Sequence, residues 1–282
     1  MSRIAIVTDT TSTVPADLLA KYDIKVAPQV LIWGEKSLLD EIDIKPDEFY
    51  SRLATAEVMP TTSQATIGAF KTIFEPLVAE GRPILAILIS AKLSGTVQSA
   101  EQAKAMFPGA TIEIVDSESA AMALGFQVLA AARAAADGKS FQEVVSLAKS
   151  AKDHCGVIFV VDTLEFLHRG GRIGGASRLL GTALNIKPLL HLEGGKIEPL
   201  ERVRTKTRAH ARLLELIDEK VRGKGRVRIA ALHAAAPGDA RHLLDEAAKR
   251  NQLVESFLTV VSPVIGAHVG PGTVGLAYST DL

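Results

Sequence analysis

The residues best placed to do chemistry fall in three short hydroxyl-rich segments: Thr8-Asp9-Thr10-Thr11-Ser12-Thr13, Thr61-Thr62-Ser63-Gln64 and Ser94-Gly95-Thr96. Each stands where an apolar strand or loop pattern gives way to a helical one. A helix N-terminus presents backbone N–H groups with no partner inside the helix, and serine and threonine add short donors beside them. Gathered in one crevice, such donors would hold a carboxylate or a phosphate without a lysine. Each segment also reads as a helix cap: Ser94 for the helix opening near Gly95, Thr62 or Ser63 for the one opening near Ala65. The two readings are compatible, because a cap that fixes a loop also aims its donors. Asp9 is placed to orient its neighbours.

Other chemistry is thinner. No Gly-x-x-x-x-Gly-Lys-Ser/Thr loop occurs, and the glycine-dense run Arg169-Gly170-Gly171-Arg172-Ile173-Gly174-Gly175 does not follow a first strand as a dinucleotide fingerprint must. That run reads as a hinge or as a basic contact point. Seven histidines and one cysteine show no metal-ligand spacing, so no metal and no cofactor are expected. His210 and His242 sit in helical patterns. His268 lies among glycines and prolines, in an expected loop where backbone can approach a ligand closely. A serine with a histidine also admits an acyl hydrolase or transferase using Ser94 and His268. Against it stands the lack of a Gly-x-Ser-x-Gly elbow, and Asp9 and Asp116 are the conceivable third members.

The elements that must carry these residues alternate. Strands are expected at Arg3 to Val7, Ile24 to Trp33, Ile84 to Ile89, Thr111 to Val115 and Gly156 to Val161. Helices are expected from Pro15, at Pro46 to Leu53, Ala65 to Glu80, Gly95 to Phe107, Ser119 to Ala136 and Ser140 to Asp153. Wholly apolar strands separated by helices indicate a parallel sheet covered on both faces. The three hydroxyl segments would then share the carboxyl end of that sheet, where ligands bind in open α/β folds. Beyond the glycine-dense run, Lys187 to Val203 reads as a hairpin turning at Gly194-Gly195. Helices at Arg208 to Val221 and Asp239 to Lys249 alternate with strands at Val227 to Leu232, Val254 to Val261 and Thr273 to Tyr278. The expected fold is therefore α/β with two domains. Residues 1–162 form a parallel sheet with helices on both faces, and residues 163–282 an α+β domain with a mixed or antiparallel sheet.

Composition narrows the partners. The 282 residues include 32 basic and 32 acidic side chains, which leaves no net field to attract nucleic acid or an anionic membrane surface. The single Cys155 excludes an internal disulfide and reads as a core thiol. The chain opens directly on a strand pattern without a signal peptide, and Ala120 to Ala136 is too short to span a bilayer. A cytoplasmic protein without integral membrane association is expected.

As a set, several motifs resemble the DegV family: Val7-Thr8-Asp9-Thr10, Pro60 through Gln64, Leu93 through Ala100, Ile114 through Ser117, Leu164 through Leu167, Gly170 through Ile173, Ile186-Lys187-Pro188 and Gly266 through Gly272. They keep the family's order over nearly the whole chain. Val97 departs from a common tyrosine and Thr10 from a common serine, and the hydroxyl set survives both. The resemblance implies two domains with the ligand between them, the second being the lipid-binding one. It implies a fatty acid-binding subunit of the FakB kind, from the bacterial fatty acid kinase system. Such a subunit presents a long-chain fatty acid (palmitate, stearate or oleate, for example) to an ATP-dependent kinase of the dihydroxyacetone-kinase type. The kinase makes acyl-phosphate for phospholipid synthesis. By the same resemblance Thr62, Ser94 and His268 hold the carboxylate, and Ser63, Gly95, Thr96, Asp9, Thr10, Asp116 and Ser117 support the head-group region. Arg172 and Arg204 are associated with that region or with kinase docking. The carrier itself would be non-catalytic, with transient membrane contact left open. A small-anion or phosphate-ester binder without a lipid tail is the remaining alternative.

Overall fold

The computed structural model describes residues 4–181 and 186–282, so the expected start of the first strand at Arg3 lies outside the described residues. The chain opens with β1 (Ala5–Asp9), α1 (Ala16–Tyr22), β2 (Lys25–Ala27), β3 (Val30–Trp33), β4 (Lys36–Leu39), α2 (Pro46–Leu53), β5 (Thr61–Ser63) and α3 (Ile67–Ala79). It continues through β6 (Ile84–Leu88), α4 (Thr96–Lys104), β7 (Ile112–Asp116), α5 (Ala121–Ala136) and α6 (Phe141–Ser150). The second half comprises β8 (Cys155–Val160), α7 (Glu165–Arg169), β9 (Lys187–Glu193), β10 (Lys196–Val203), α8 (Lys206–Val221), β11 (Arg228–His233), α9 (Pro237–Arg250), β12 (Glu255–Val260), α10 (Pro263–Val269) and β13 (Val274–Ser279).

Strands β2, β1, β6 and β7 pair in that order as a parallel sheet. Every residue of β1 and β6 is buried, as expected of strands covered on both faces. Helices α3 and α4 pack on one face and α5 on the other. The second sheet runs β10-β9-β8-β13-β11-β12, and only its β11–β12 pair is parallel. Leu213, Leu214, Ile217, Leu243 and Leu244 of α8 and α9 cover its outer face. The α/β fold with a parallel and a mixed sheet is thus the expected one.

Three details differ from expectation. The single strand read from Ile24 to Trp33 is two, because Pro28 has no N–H to continue a ladder. β2 closes the parallel sheet, while β3 joins β4 and β5 in a small antiparallel sheet that was not foreseen. Strands of three or four residues carry too little alternation to be read. The strand read with the first domain, Gly156 to Val161, pairs as β8 with β9 and β13, so the sheets part before Cys155 rather than at 162/163. With α5 on one face and α8 on the other, β8 is apolar throughout, and such a run does not reveal strand direction.

Helix α5 lies between the two sheets, touching β1 and β6 on one side and β8 and β13 on the other. All its residues from Ala121 to Ala132 are buried. A helix apolar all round belongs to a core, and its many alanines let the two sheets approach. Among the described residues no helix is long and apolar enough to cross a membrane.

Candidate functional site

The loop leaving β6 is held from both sides by carboxylates at the carboxyl ends of the flanking strands. Asp9 accepts a hydrogen bond from Ile89 N–H at 2.9 Å, and Asp116 accepts one from Ala91 N–H at 3.2 Å. Asp9 also caps the tight turn Thr10–Ser12 through Thr11 N–H at 3.0 Å, and full burial raises its carboxyl above the ordinary range. Ser117 closes its own turn by accepting from Ser119 N–H at 3.1 Å. Asp9, Asp116 and Ser117 are therefore committed to loop geometry. The second half of the chain clamps the same loop: Ser90 donates to the Gly195 carbonyl at the β9–β10 hairpin tip (2.8 Å), and Arg172 Nε, beyond α7, donates to the Leu93 carbonyl (3.0 Å).

The helix-cap readings of Thr62, Ser63 and Ser94 do not hold. Thr62 and Ser63 belong to β5, and Thr66 caps α3 by accepting from Ala69 N–H at 3.1 Å. Gly95 is the N-cap residue of α4, so the Ser94 hydroxyl is free of that duty and meets Thr96 Oγ1 at 2.8 Å. Behind it, Gln29 Nε2 donates to Thr96 Oγ1 at 2.9 Å, while its Oε1 accepts from Ala65 N–H at 2.9 Å. Gln29 is only 1% exposed, and sequence reasoning passed over it. Its signal was a lone amide inside an otherwise apolar run next to Pro28.

His268 lies in the last turn of α10 and not in a loop. Ser262 at the N-cap, Pro263 at the first helical position and Gly270 with φ 74° delimit that helix. His268 Nε2 stands 2.7 Å from Thr62 Oγ1, joining positions 206 residues apart in sequence. The other ring nitrogen has no partner and backs onto Gly170, where a Cβ would stand 2.1 Å from it. Burial, and then the charge of Arg172, push the imidazole down to about 4, so it is neutral at pH 7. A neutral imidazole, two hydroxyls and a guanidinium form a donor set suited to an anion.

These groups open onto a cavity of about 910 Å³, including its mouth. Thr62, Ser63, Ser94, Arg172 and His268 line it together with Ile89, Leu93, Val157, Phe159, Leu192 and Val261. Walls come from the second sheet, from β5 and from the loops at the carboxyl end of the first sheet, so the cavity lies between the two halves of the chain. Gly95, Thr96 and Thr10 stand behind the wall, Thr96 beneath Ser94 and Thr10 donating to Asp40 at 2.6 Å. Arg204 is elsewhere, in a separate groove of mixed character with Asp162, His168 and Lys187. Among the described residues no group of three His, Cys, Asp or Glu is arranged for a metal ion.

The chain is similar to known proteins along its length. The DegV family model, described as "Uncharacterised protein, DegV family", matches residues 3–281. A DegV domain-containing protein of Streptomyces coelicolor is 39% identical over 283 residues, covering 99% of this chain and 100% of the relative. A Thermus thermophilus structure, described as fatty acid binding of a DegV family protein, superimposes with a TM-score of 0.94 at 34% identity, covering 99% of both chains. The structure of DegV from Bacillus subtilis, described as a fatty acid binding protein, gives a TM-score of 0.91 at 31% identity, covering 100% of both. A family model spanning the chain, and relatives this similar over their whole length, have one meaning: the chain belongs to the DegV family.

Proposed function

We propose that this protein binds a long-chain fatty acid, buries its acyl tail in the cavity between the sheets, and presents the carboxylate to a separate ATP-dependent fatty acid kinase. The observation that carries the binding half is a cavity with mostly apolar walls that also holds a cluster of uncharged donors and one guanidinium. The Thermus thermophilus and Bacillus subtilis relatives, both described as fatty acid binding, support it. Burying a sixteen-carbon tail at about 0.8 kcal/mol per methylene gives a gross favourable term of roughly 12 kcal/mol. Ordering the chain and losing its free translation offset part of that. The head group contributes less, because its desolvation must be matched by donors. Thr62, Ser94 and His268 serve as those donors, with Arg172 supplying the positive charge. Their value lies in orientation, which leaves a carboxylate oxygen accessible for phosphoryl transfer and so for phospholipid synthesis. The kinase half rests on the resemblance to FakB subunits, and Arg172 and Arg204 are its docking candidates.

Lipid extraction and native mass spectrometry of protein taken directly from cells test the binding half. A co-purifying fatty acid is expected, and protein that carries none and takes up none in titration refutes it. The acyl hydrolase alternative needs Ser94 paired with His268, and each of these is bonded to another residue. Ser94 is bonded to Thr96 at 2.8 Å and His268 to Thr62 at 2.7 Å. A serine-reactive probe should leave Ser94 unlabelled.

A further inference from the structure

Helix α10 presents His268, yet it has only seven residues. A helix that short does not hold itself together in water, so its orientation is set by what it packs against. Besides Thr62 at His268 itself, two polar contacts come from the first half of the chain. Tyr50 of α2 donates to the Val261 carbonyl at 3.1 Å, and Gly266 lies so close that a Cβ there would stand 2.5 Å from the Tyr50 hydroxyl oxygen. The second contact is Asp40, which is wholly buried. One of its oxygens accepts from Val264 N–H in the first turn of α10 at 3.2 Å, and the other from Thr10 Oγ1 at 2.6 Å. Thr10 Oγ1 in turn accepts from Gln29 N–H at 3.2 Å, and the Gln29 side chain reaches Thr96, which touches Ser94. Polar contacts therefore run unbroken from the helix bearing His268 to Ser94. Burying a carboxyl is costlier than burying an apolar side chain of similar size, so its position between two otherwise unpartnered donors calls for a role.

We propose that Asp40 is the positioning residue of the head-group site, pinning α10 so that His268 faces Thr62 in register with Ser94. This rests on the reading of Thr62, Ser94 and His268 as carboxylate donors. The charged and titratable groups facing Asp40 are Glu41 beside it and Tyr50 of α2; Thr10 and Ser262 face it with hydroxyls. His268 itself titrates far lower, near 4, and Arg172 is the charge that faces it.

The test compares affinities for palmitate and for methyl palmitate, which share a tail and differ in the head group. Wild type should prefer the acid. Asp40→Ala should cut that preference about tenfold, the size of one misplaced hydrogen bond to a charged group, while ester affinity stays within about twofold. Asp40→Asn, which keeps an acceptor for Val264, should restore the preference. Equal loss of acid and ester in Asp40→Ala, or an unchanged preference, overturns the assignment. A wild type that binds neither lipid overturns the fatty acid reading and this assignment with it. A second measurement needs no lipid and does not depend on Asp40→Ala folding. In ligand-free wild type the His268 ring resonances should move between pH 6 and 8 as Asp40 exchanges its proton, and they should stay still in Asp40→Asn. Identical His268 titrations in the two proteins overturn the assignment.

Discussion

Replacing Asp40 by asparagine should change how the stability of this protein depends on pH. Burial, reinforced by Glu41, raises the Asp40 carboxyl from 3.8 to about 7 against the opposing bonds from Thr10 and Val264. Between those values the folded protein holds a proton that the unfolded chain has released. Stability is therefore greatest at the acid end of the window and is lost as pH rises from about 4 to about 7. Three pH units at about 1.4 kcal/mol each give a loss of ~4 kcal/mol, which is a large share of a domain's stability. Asp9 and Glu41 are also raised by burial and add slope of the same sign, but they are present in both proteins and cancel in the difference. The assay is urea unfolding followed by circular dichroism from pH 4 to pH 8, with wild type and Asp40→Asn compared at each pH. The asparagine variant should gain on wild type by ~4 kcal/mol across the range, almost all of it below pH 7. Curves that stay parallel within about 0.5 kcal/mol would mean that Asp40 ionises as an exposed carboxyl does, and the argument from burial would fall.

Three further outcomes are expected. Ser94→Ala or His268→Ala should reduce kinase-dependent acyl-phosphate formation by about tenfold or more while lowering lipid affinity less than tenfold, because the tail supplies most of the binding; equal losses would argue against that division. Val157→Phe puts a larger side chain into the cavity wall and should shift preference toward shorter saturated acids in a competition assay, at about 1–3 kcal/mol of stability; an unchanged chain-length profile would remove Val157 from the tail site. Burial pushes the Cys155 thiol up to about 12, so iodoacetamide should label it only after unfolding, and stoichiometric labelling of native protein at pH 8 would contradict that environment.

Much of the site was legible because its residue types are unusual for their surroundings. Thr62 and Ser94 stand in short hydroxyl-rich segments and His268 is a single polar residue among glycines, prolines and apolar residues, and all three line one cavity. The misreadings have local causes. Glycine and proline density hid α10, although Ser262, Pro263 and Gly270 are ordinary start and stop signals. Thr62 looked like a cap because Thr66, the true cap, lies only four residues further on. Gln29 escaped as a single amide in an apolar stretch and Asp40 as one carboxylate among several in a charged stretch, and their partners at Thr96 and Val264 are far along the chain.

The residues by themselves determined the alternation of strands and helices, the parallel character of the first sheet, the hairpin at Gly194-Gly195 and the supply of donors. These follow from local sterics and from the periodicity of apolar side chains, which act over a few residues. Only the tertiary structure decided which sheet β8 joins, that α5 is a shared core between two sheets, and that Thr62 meets His268 at 2.7 Å across 206 residues. It also decided that Arg172 joins the cavity and Arg204 does not. Contacts of that range depend on how whole surfaces pack, and no short window of sequence records the packing of its distant partner.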